Sequence, residues 1–136
     1  MKTTVRFSVI AALLLLTAAG ATAQTSNGND VFNPIAKYIA QGNAEALSAW
    51  FADNLEISVI SKGDNSSRNQ AKQVVKRFFD SYTPRSFQID HTAGRINMKY
   101  ALGTLNAGGE KFHVTIFVSR KDGPYRIQQL KIDRIQ

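Results

Sequence analysis

Apolar residues recur with helical spacing between Ser67 and Tyr82. They stand at i, i+3, i+4, i+7, i+8 and i+11, which places them on one stripe of an α-helix: Ala71, Val74, Val75, Phe78, Phe79 and Tyr82. Ser67 and Gln70 have the spacing of a capping box, and Pro84 disfavours helical geometry at the residue before it. The pattern predicts a central helix that needs a broad apolar surface to pack against.

Two shorter helices are predicted before the central one. The first runs from about Asp30 to Gln41 and is followed by Gly42, which suits a left-handed C-terminal cap. Its inner stripe consists of Phe32, Ile35, Ala36 and Ile39. Asn43 is placed to cap a second helix that turns Leu47, Trp50 and Phe51 inward.

Alternation of apolar and polar residues predicts about five strands. One precedes the central helix, and four follow Pro84, joined by turns that include Asn106–Gly109 and Lys121–Gly123. Ser61–Ser66 is expected to be a turn-rich loop. The residues expected to face inward are Leu55, Ile57 and Val59, then Phe87, Ile89 and His91, then Ile96, Met98, Tyr100 and Leu102, then Phe112, Val114, Ile116 and Val118.

The last strand carries a change of parity. Its apolar residues stand at odd positions up to Ile127 and at even positions from Leu130. Because side chains in a strand alternate with a period of two, this change predicts a β-bulge at Gln128 and Gln129. A bulge bends a sheet, so the pattern favours a sheet curled around the central helix.

The order helix, helix, strand, helix and four strands resembles the cone-shaped α+β fold of the nuclear-transport-factor-2-like superfamily, over about Asp30 to Ile135. The stretch QAKQVVKRFFDSYTP, at positions 70–84, is most similar to a family of small exported bacterial proteins known only as a domain of unknown function. The expected fold is α+β, with three helices packed on a strongly bent, mostly antiparallel sheet of about five strands. The resemblance carries no catalytic signature.

The N-terminus has the pattern of a secretory signal peptide. Lys2 and Arg6 precede an apolar run over Val9–Leu16, and the small residues Ala21-Thr22-Ala23 follow it. The apolar run is much shorter than the roughly 20 residues of a membrane-spanning helix. The predicted organisation is a signal peptide over 1–23, a flexible segment over 24–29 and a single domain over 30–136. The predicted location is the bacterial periplasm or exterior, with no transmembrane segment after cleavage.

We expect the mature chain to begin at Gln24, because cleavage follows the small-residue motif. Mass spectrometry of the exported protein measures this directly. A membrane-bound protein that keeps Met1 would contradict the prediction.

Composition narrows the classes of partner. The formal net charge is +7, and removal of Lys2 and Arg6 lowers it to +5, so weak contact with anionic envelope components is one expectation. No nucleic-acid partner is expected for an exported protein. The chain contains no cysteine, hence neither a disulfide nor a thiol nucleophile. His91 and His113 have opposite predicted facing, so no metal site is predicted. No Gly-rich phosphate-binding loop follows a predicted strand, and no cofactor is predicted.

In the superfamily that the chain resembles, helices and sheet enclose a pocket. The residues expected to line such a pocket, around a small apolar ligand, are Trp50, Phe78, Tyr82, His91, Met98 and Tyr100. His91 and Tyr100 are its candidate polar groups. The alternative, which the sequence favours, places His91 in water at the strand end and Tyr100 in the core with its hydroxyl at the rim. Asp53 and Asp90 are weaker candidate carboxylates. No catalytic residue is assigned.

The outer sheet face is the candidate for a homodimer interface. The same parity predicts that Ala101, Gly103, Leu105, Thr115 and Phe117 point outward, flanked by a basic strip of Lys99, Lys111, Arg126 and Lys131. A solvated monomer is the alternative. Three functional classes therefore remain: a non-enzymatic binding or envelope-accessory domain, which the sequence favours, a small isomerase- or hydrolase-type enzyme, and a homodimeric interaction module.

Overall fold

A computed structural model describes residues 31–135, so the predicted signal peptide and the flexible segment lie outside the described residues. The elements follow one another as helices α1 (Phe32–Gln41) and α2 (Ala44–Ser48), strands β1 (Phe51–Val59) and β2 (Lys62–Ser67), helix α3 (Arg68–Ser81), and strands β3 (Pro84–Gly94), β4 (Met98–Ala107), β5 (Glu110–Ser119) and β6 (Arg126–Arg134). The fold is α+β with three helices, as predicted, and the sheet has six strands instead of about five.

The helices begin where local sequence signals place them, but α2 ends at Ser48, so Trp50 follows the helix and Phe51 begins β1 instead of lying on the predicted helix. In α3, Ser67 and Gln70 form the predicted capping box. The Asn43 side chain caps α2 by accepting a hydrogen bond from the Ala46 N–H at 3.0 Å. Gly42 ends α1 in a left-handed conformation with φ 68°. Asp30 lies outside the described residues, and Val31 occupies the N-cap position of α1 without a side-chain hydrogen bond.

The six strands form one sheet in the order β2-β1-β6-β5-β4-β3. The β1 and β6 strands are parallel, and all other neighbours are antiparallel. The register of β6 shifts between Gln129 and Ile127, which confirms the predicted bulge and its single extra residue, Gln128. A second bulge at Asp90 separates Ile89 from His91 in β3.

Strand β2 corrects the predicted loop over Ser61–Ser66. Lys62–Ser67 pairs with β1 through a two-residue turn at Ile60 and Ser61, whose φ values are 51° and 66°. Such turns normally carry Asn or Gly, because both central residues need positive φ. The Ile60-Ser61 pair therefore gave no sequence signal for a hairpin turn between β1 and β2. Hydrogen bonds hold the turn from outside, since the Ile60 N–H donates to the Ile132 carbonyl at 2.7 Å.

The core lies between one face of the sheet and the three helices. Helix α3 buries Ala71, Val75, Phe78 and Phe79, while α1 lies against β3 and buries Phe32, Ile35 and Ile39. From the sheet, β5 and β6 contribute Phe112, Val114, Ile116, Val118, Ile127, Leu130 and Ile132. These inward positions of β5 are the ones predicted.

Strand β4 faces the opposite way from the prediction. Ala101, Gly103 and Leu105 lie on the core side, whereas Met98, Tyr100 and Leu102 are exposed on the other side. The reason is the two-residue turn Gly108–Gly109, with φ 58° and 81°, which pairs Ala107 with Glu110. This register places Leu105 opposite Phe112, so the odd positions of β4 share a face with the even positions of β5.

Candidate functional site

The sheet face opposite the helices carries a cluster of mostly apolar side chains, several of them exposed. We call this surface the open face and define its centre by the exposed Met98, Tyr100 and Leu102 and the half-buried Thr115 and Phe117. Tyr100 pairs with Phe117, and Leu102 pairs with Thr115, so these side chains are cross-strand neighbours. Met98, Tyr100 and Leu102 are 47%, 39% and 40% exposed, respectively. The candidate functional site is therefore a surface and not a cavity.

Polar residues of both charge signs surround this centre. On β6, Lys131 pairs with Thr115, and Asp133 pairs with His113, which puts them beside the apolar cluster. On the opposite side, Asp90 accepts a hydrogen bond from the Thr104 hydroxyl at 2.7 Å. Further out, the Gln129 amide donates to Glu56 at 3.2 Å. The rim of the open face is thus mixed in charge.

Two of the residues predicted for the homodimer interface lie on this face, and three do not. Thr115 and Phe117 are outward as predicted, while the reversed facing of β4 puts Ala101, Gly103 and Leu105 in the core. The same reversal moves Lys99 to the core-side parity, away from the other members of the predicted basic strip, Lys111, Arg126 and Lys131.

The six predicted pocket residues divide between the two sides of the sheet. Phe78 is buried and Trp50 and Tyr82 are half-buried on the helix side. Met98 and Tyr100 lie on the open face because of the β4 register. His91 joins them there, paired with Leu102, because the bulge at Asp90 inverts the parity that Ile89 had established. The structure does not bring these residues together around one pocket.

An aromatic cluster occupies the helix side where the pocket lining was expected. The rings of Phe78, Tyr82 and Phe112 pack against one another with centroids 5.1–5.3 Å apart. Arg134 lies over the Tyr82 ring and donates to its hydroxyl at 2.7 Å. The hydrogen bond and charge of Glu110 raise the pKa of Arg134 above its ordinary value.

A surface cleft of about 510 Å³ lies where α2 and α3 meet β1. Its charged groups are already paired, since Arg68 contacts Asp53 at 2.9 Å and Lys72 contacts Glu45 at 3.2 Å. Exposed pairs of this kind contribute only about 0–1 kcal/mol to stability. Asp53, a candidate carboxylate in the sequence, thus has an arginine partner at the protein surface.

The described residues offer no arrangement suited to a metal ion. Within 31–135, no group of three or more His, Asp or Glu side chains is placed to ligate one. None of the helices in this part of the chain is both long and apolar enough to cross a membrane.

The fold and its open sheet face define an α+β protein of the nuclear-transport-factor-2-like class. A solved NTF2-like protein of unknown function from Cytophaga hutchinsonii superposes with a TM-score of 0.58 at 10% identity, covering 82% of this chain and 94% of that one. The resemblance seen in the sequence is therefore confirmed at the level of fold.

Residues 32–133 match the model of the family described as Domain of unknown function (DUF4783), and the chain belongs to that family. A DUF4783 protein from Bacteroides uniformis superposes with a TM-score of 0.75 at 21% identity, covering 79% of this chain and 99% of that one. One from Bacteroides ovatus gives a TM-score of 0.73 at 22% identity, covering 76% and 94%. No curated protein matches the chain. These likenesses establish the fold and not an activity.

Proposed function

We propose that this protein is a non-enzymatic interaction module whose open face binds the same face of a second copy of the chain, which gives a homodimer. The observation that carries the proposal is the apolar centre of the open face, where Met98, Tyr100 and Leu102 are exposed beside the half-buried Phe117. An antiparallel sheet with one face in water normally shows polar residues there. A contiguous apolar cluster instead is typical of an interaction surface.

The dimensions of the open face suit a pairing of two copies. The open face extends over strands β3 to β6. Four strands of about ten residues, spaced about 4.8 Å apart and rising about 3.3 Å per residue, cover roughly 20 Å by 33 Å. This area is close to the about 800 Å² that each partner buries in a standard interface. The face is thus large enough to support a stable association.

The mixed charge of the rim favours a second copy over a partner of a single charge sign. A twofold axis sets the same surface patch of each copy against the other. Lys131 and Asp133 lie on one side of the apolar centre and Asp90 on the other. Within one copy Lys131 and Asp133 form a long, partly exposed ion pair at 3.8 Å. Each copy therefore presents both charge signs to the other, which is what a self-complementary contact requires.

An enzyme acting in an enclosed cone is the less favoured alternative. Among residues 31–135, Ser48 is the only buried residue with a polar side chain, and its hydroxyl donates to the Glu45 carbonyl at 2.7 Å. Acid–base catalysis typically uses a titratable group with a perturbed pKa in a cleft. His91 and Tyr100, the polar groups that the sequence suggested, lie on the exposed sheet face instead.

We further propose that the module acts in the bacterial envelope or outside the cell. The support is the N-terminal pattern of Lys2, Arg6, the Val9–Leu16 run and Ala21-Thr22-Ala23. The cysteine-free sequence is compatible with either compartment.

The homodimer predicts a specific response to charge on the open face. We expect the exported protein to be dimeric at tens of micromolar, and the double variant Leu102→Lys/Phe117→Lys to dissociate at least about 100-fold more readily, because buried apolar contacts become charged. Light scattering over a concentration series measures both. Circular dichroism should show an unchanged fold, since neither side chain belongs to the buried core.

The matched control is Asn69→Lys/Gln73→Lys, which adds the same two charges to the exposed side of α3. It should remain as dimeric as the natural chain. A natural chain that stays monomeric throughout, or a control that dissociates as readily as the open-face variant, would contradict the proposed interface.

A further inference from the structure

Two loops meet at one end of the sheet. The first, residues 95–97, joins β3 to β4, and the second, residues 120–125, joins β5 to β6. The Arg120 N–H donates to the Asn97 carbonyl at 2.9 Å, and the Tyr125 hydroxyl donates to the Ile96 carbonyl. We call this end of the molecule the tip and define it by these two loops. The hydrogen bonds between them give it a defined shape.

The tip is rich in positive charge. Arg95, Arg120 and Lys121 are all exposed, and Asp122 is the acidic residue in the two loops. The ion pairs found among residues 31–135 use other cations: Arg68, Lys72, Lys76, Lys131 and Arg134. The guanidinium of Arg120 stacks on the Tyr125 ring, 5.2 Å from its centroid, and this contact does not neutralise its charge. Because no cation of the tip takes part in these ion pairs, the tip can attract an external anion.

The tip also presents an apolar side chain to solvent. Ile96 is 67% exposed, the highest exposure among the large hydrophobic residues of the described chain. Its backbone is held on both sides, because Tyr125 binds its carbonyl and the Arg95 N–H donates to the Met98 carbonyl at 2.7 Å. Pro124 is exposed in the neighbouring loop. Ile96 thus lies in a loop next to exposed cations, and it is not one of the strand residues that form the centre of the open face.

We propose that the tip docks on the surface of an anionic lipid bilayer, with Ile96 entering the interface and Arg95, Arg120 and Lys121 contacting headgroup phosphates. Apolar residues that enter the headgroup region and basic residues beside them act together in peripheral membrane binding. Each cation close to an anionic surface strengthens the attraction, and salt weakens it. A soluble polyanion would use the cations but would leave Ile96 in water.

The association goes beyond the proposed homodimer, because it uses the end of the sheet and not the centre of the open face. The cleft between the loops, lined by Asn97, Arg120, Lys121, Asp122 and Gly123, has a volume of about 420 Å³. Its lining holds two cations and an amide against one carboxylate, Asp122, so it keeps a net positive charge that suits a lipid phosphate. The two surfaces can therefore be tested with separate variants.

The test is sedimentation of the exported, processed protein with vesicles. We expect binding to phosphatidylglycerol-containing vesicles and little binding to pure phosphatidylcholine. Arg120→Gln/Lys121→Gln should weaken the binding by about tenfold or more. Ile96→Ser should weaken it severalfold without changing the net charge. Lys37→Gln/Arg77→Gln, which removes two exposed cations from α1 and α3, is the matched control and should retain most of the binding.

A second readout separates insertion from simple charge attraction. The chain has no cysteine, so Ile96→Cys provides a single site for an environment-sensitive fluorophore. We expect its emission to shift to the blue with anionic vesicles and not with a soluble polyanion such as heparin, while a label at Lys37→Cys shows no shift. Absence of binding to anionic vesicles, binding that Ile96→Ser leaves unchanged, or equal shifts with vesicles and heparin would each overturn the proposal.

Discussion

Replacement of Phe78 by alanine is expected to lower the free energy of unfolding by about 3–5 kcal/mol. Phe78 is 4% exposed, and its ring lies 5.1 Å from that of Phe112 and 5.2 Å from that of Tyr82, centroid to centroid. Truncation leaves a cavity between α3 and β5 that the surrounding rings cannot fill. For a domain of about 100 residues, this loss lowers the melting temperature by roughly 12 °C or more. Thermal and urea unfolding measure it.

Lys76→Ala is the control on the same helix. Lys76 is exposed and pairs with Asp80 at 3.1 Å across one helical turn. Loss of such a pair costs about 0.3–0.5 kcal/mol. Equal destabilisation by Phe78→Ala and Lys76→Ala would mean that α3 turns a different face to the sheet.

Replacement of Gly103 by valine is expected to destabilise the protein by about 1–3 kcal/mol. A Cβ atom at Gly103 would lie 2.6 Å from Cζ of Phe87 and 2.7 Å from the backbone oxygen of Gln88. The Phe87 ring can move, but the backbone oxygen belongs to β3, the strand paired with β4. Relief of the clash therefore disturbs the pairing of the two strands. Urea unfolding monitored by circular dichroism measures the change.

Gly123→Ala is the control for this substitution. A Cβ at Gly123 meets no atom within 4 Å, and the residue is exposed in the loop between β5 and β6. Its unfolding free energy should match that of the natural chain within about 0.5 kcal/mol. A Gly103→Val variant that unfolds like Gly123→Ala would show that Phe87 does not lie over β4.

The true facing of β4 could have been predicted from the sequence. The inward residues of β5 were predicted correctly, and Gly108–Gly109 fits a two-residue hairpin turn. Such a turn pairs Ala107 with Glu110 and therefore Leu105 with Phe112. Met98, Tyr100 and Leu102 are larger than the alternating Ala101 and Gly103, and the prediction therefore turned them toward the core. Turn register was the stronger signal because it joins β4 directly to a strand whose facing is unambiguous.

The bulge at Asp90 had no comparable sequence signal. His91 continues the alternation of Phe87 and Ile89, so period alone places it inward. The structure inserts Asp90 as an extra residue, and Thr104 on β4 donates a hydrogen bond to its carboxylate at 2.7 Å. This hydrogen-bond partner comes from the neighbouring strand, which is not visible in the local period of β3. The bulge turns His91 onto the open face.

The sequence by itself determined the features that depend on neighbours within a few residues. These are the three helices with the caps at Gly42, Asn43 and Ser67, the alternation in β1, β4 and β5, and the β6 bulge, which leaves a visible change of parity. Tertiary structure alone decided the pairing of β2 through Ile60-Ser61 and the position of the β3 bulge at Asp90. The physical reason is that periodicity shows which side chains share a face, whereas register and packing between distant segments decide which face meets the core.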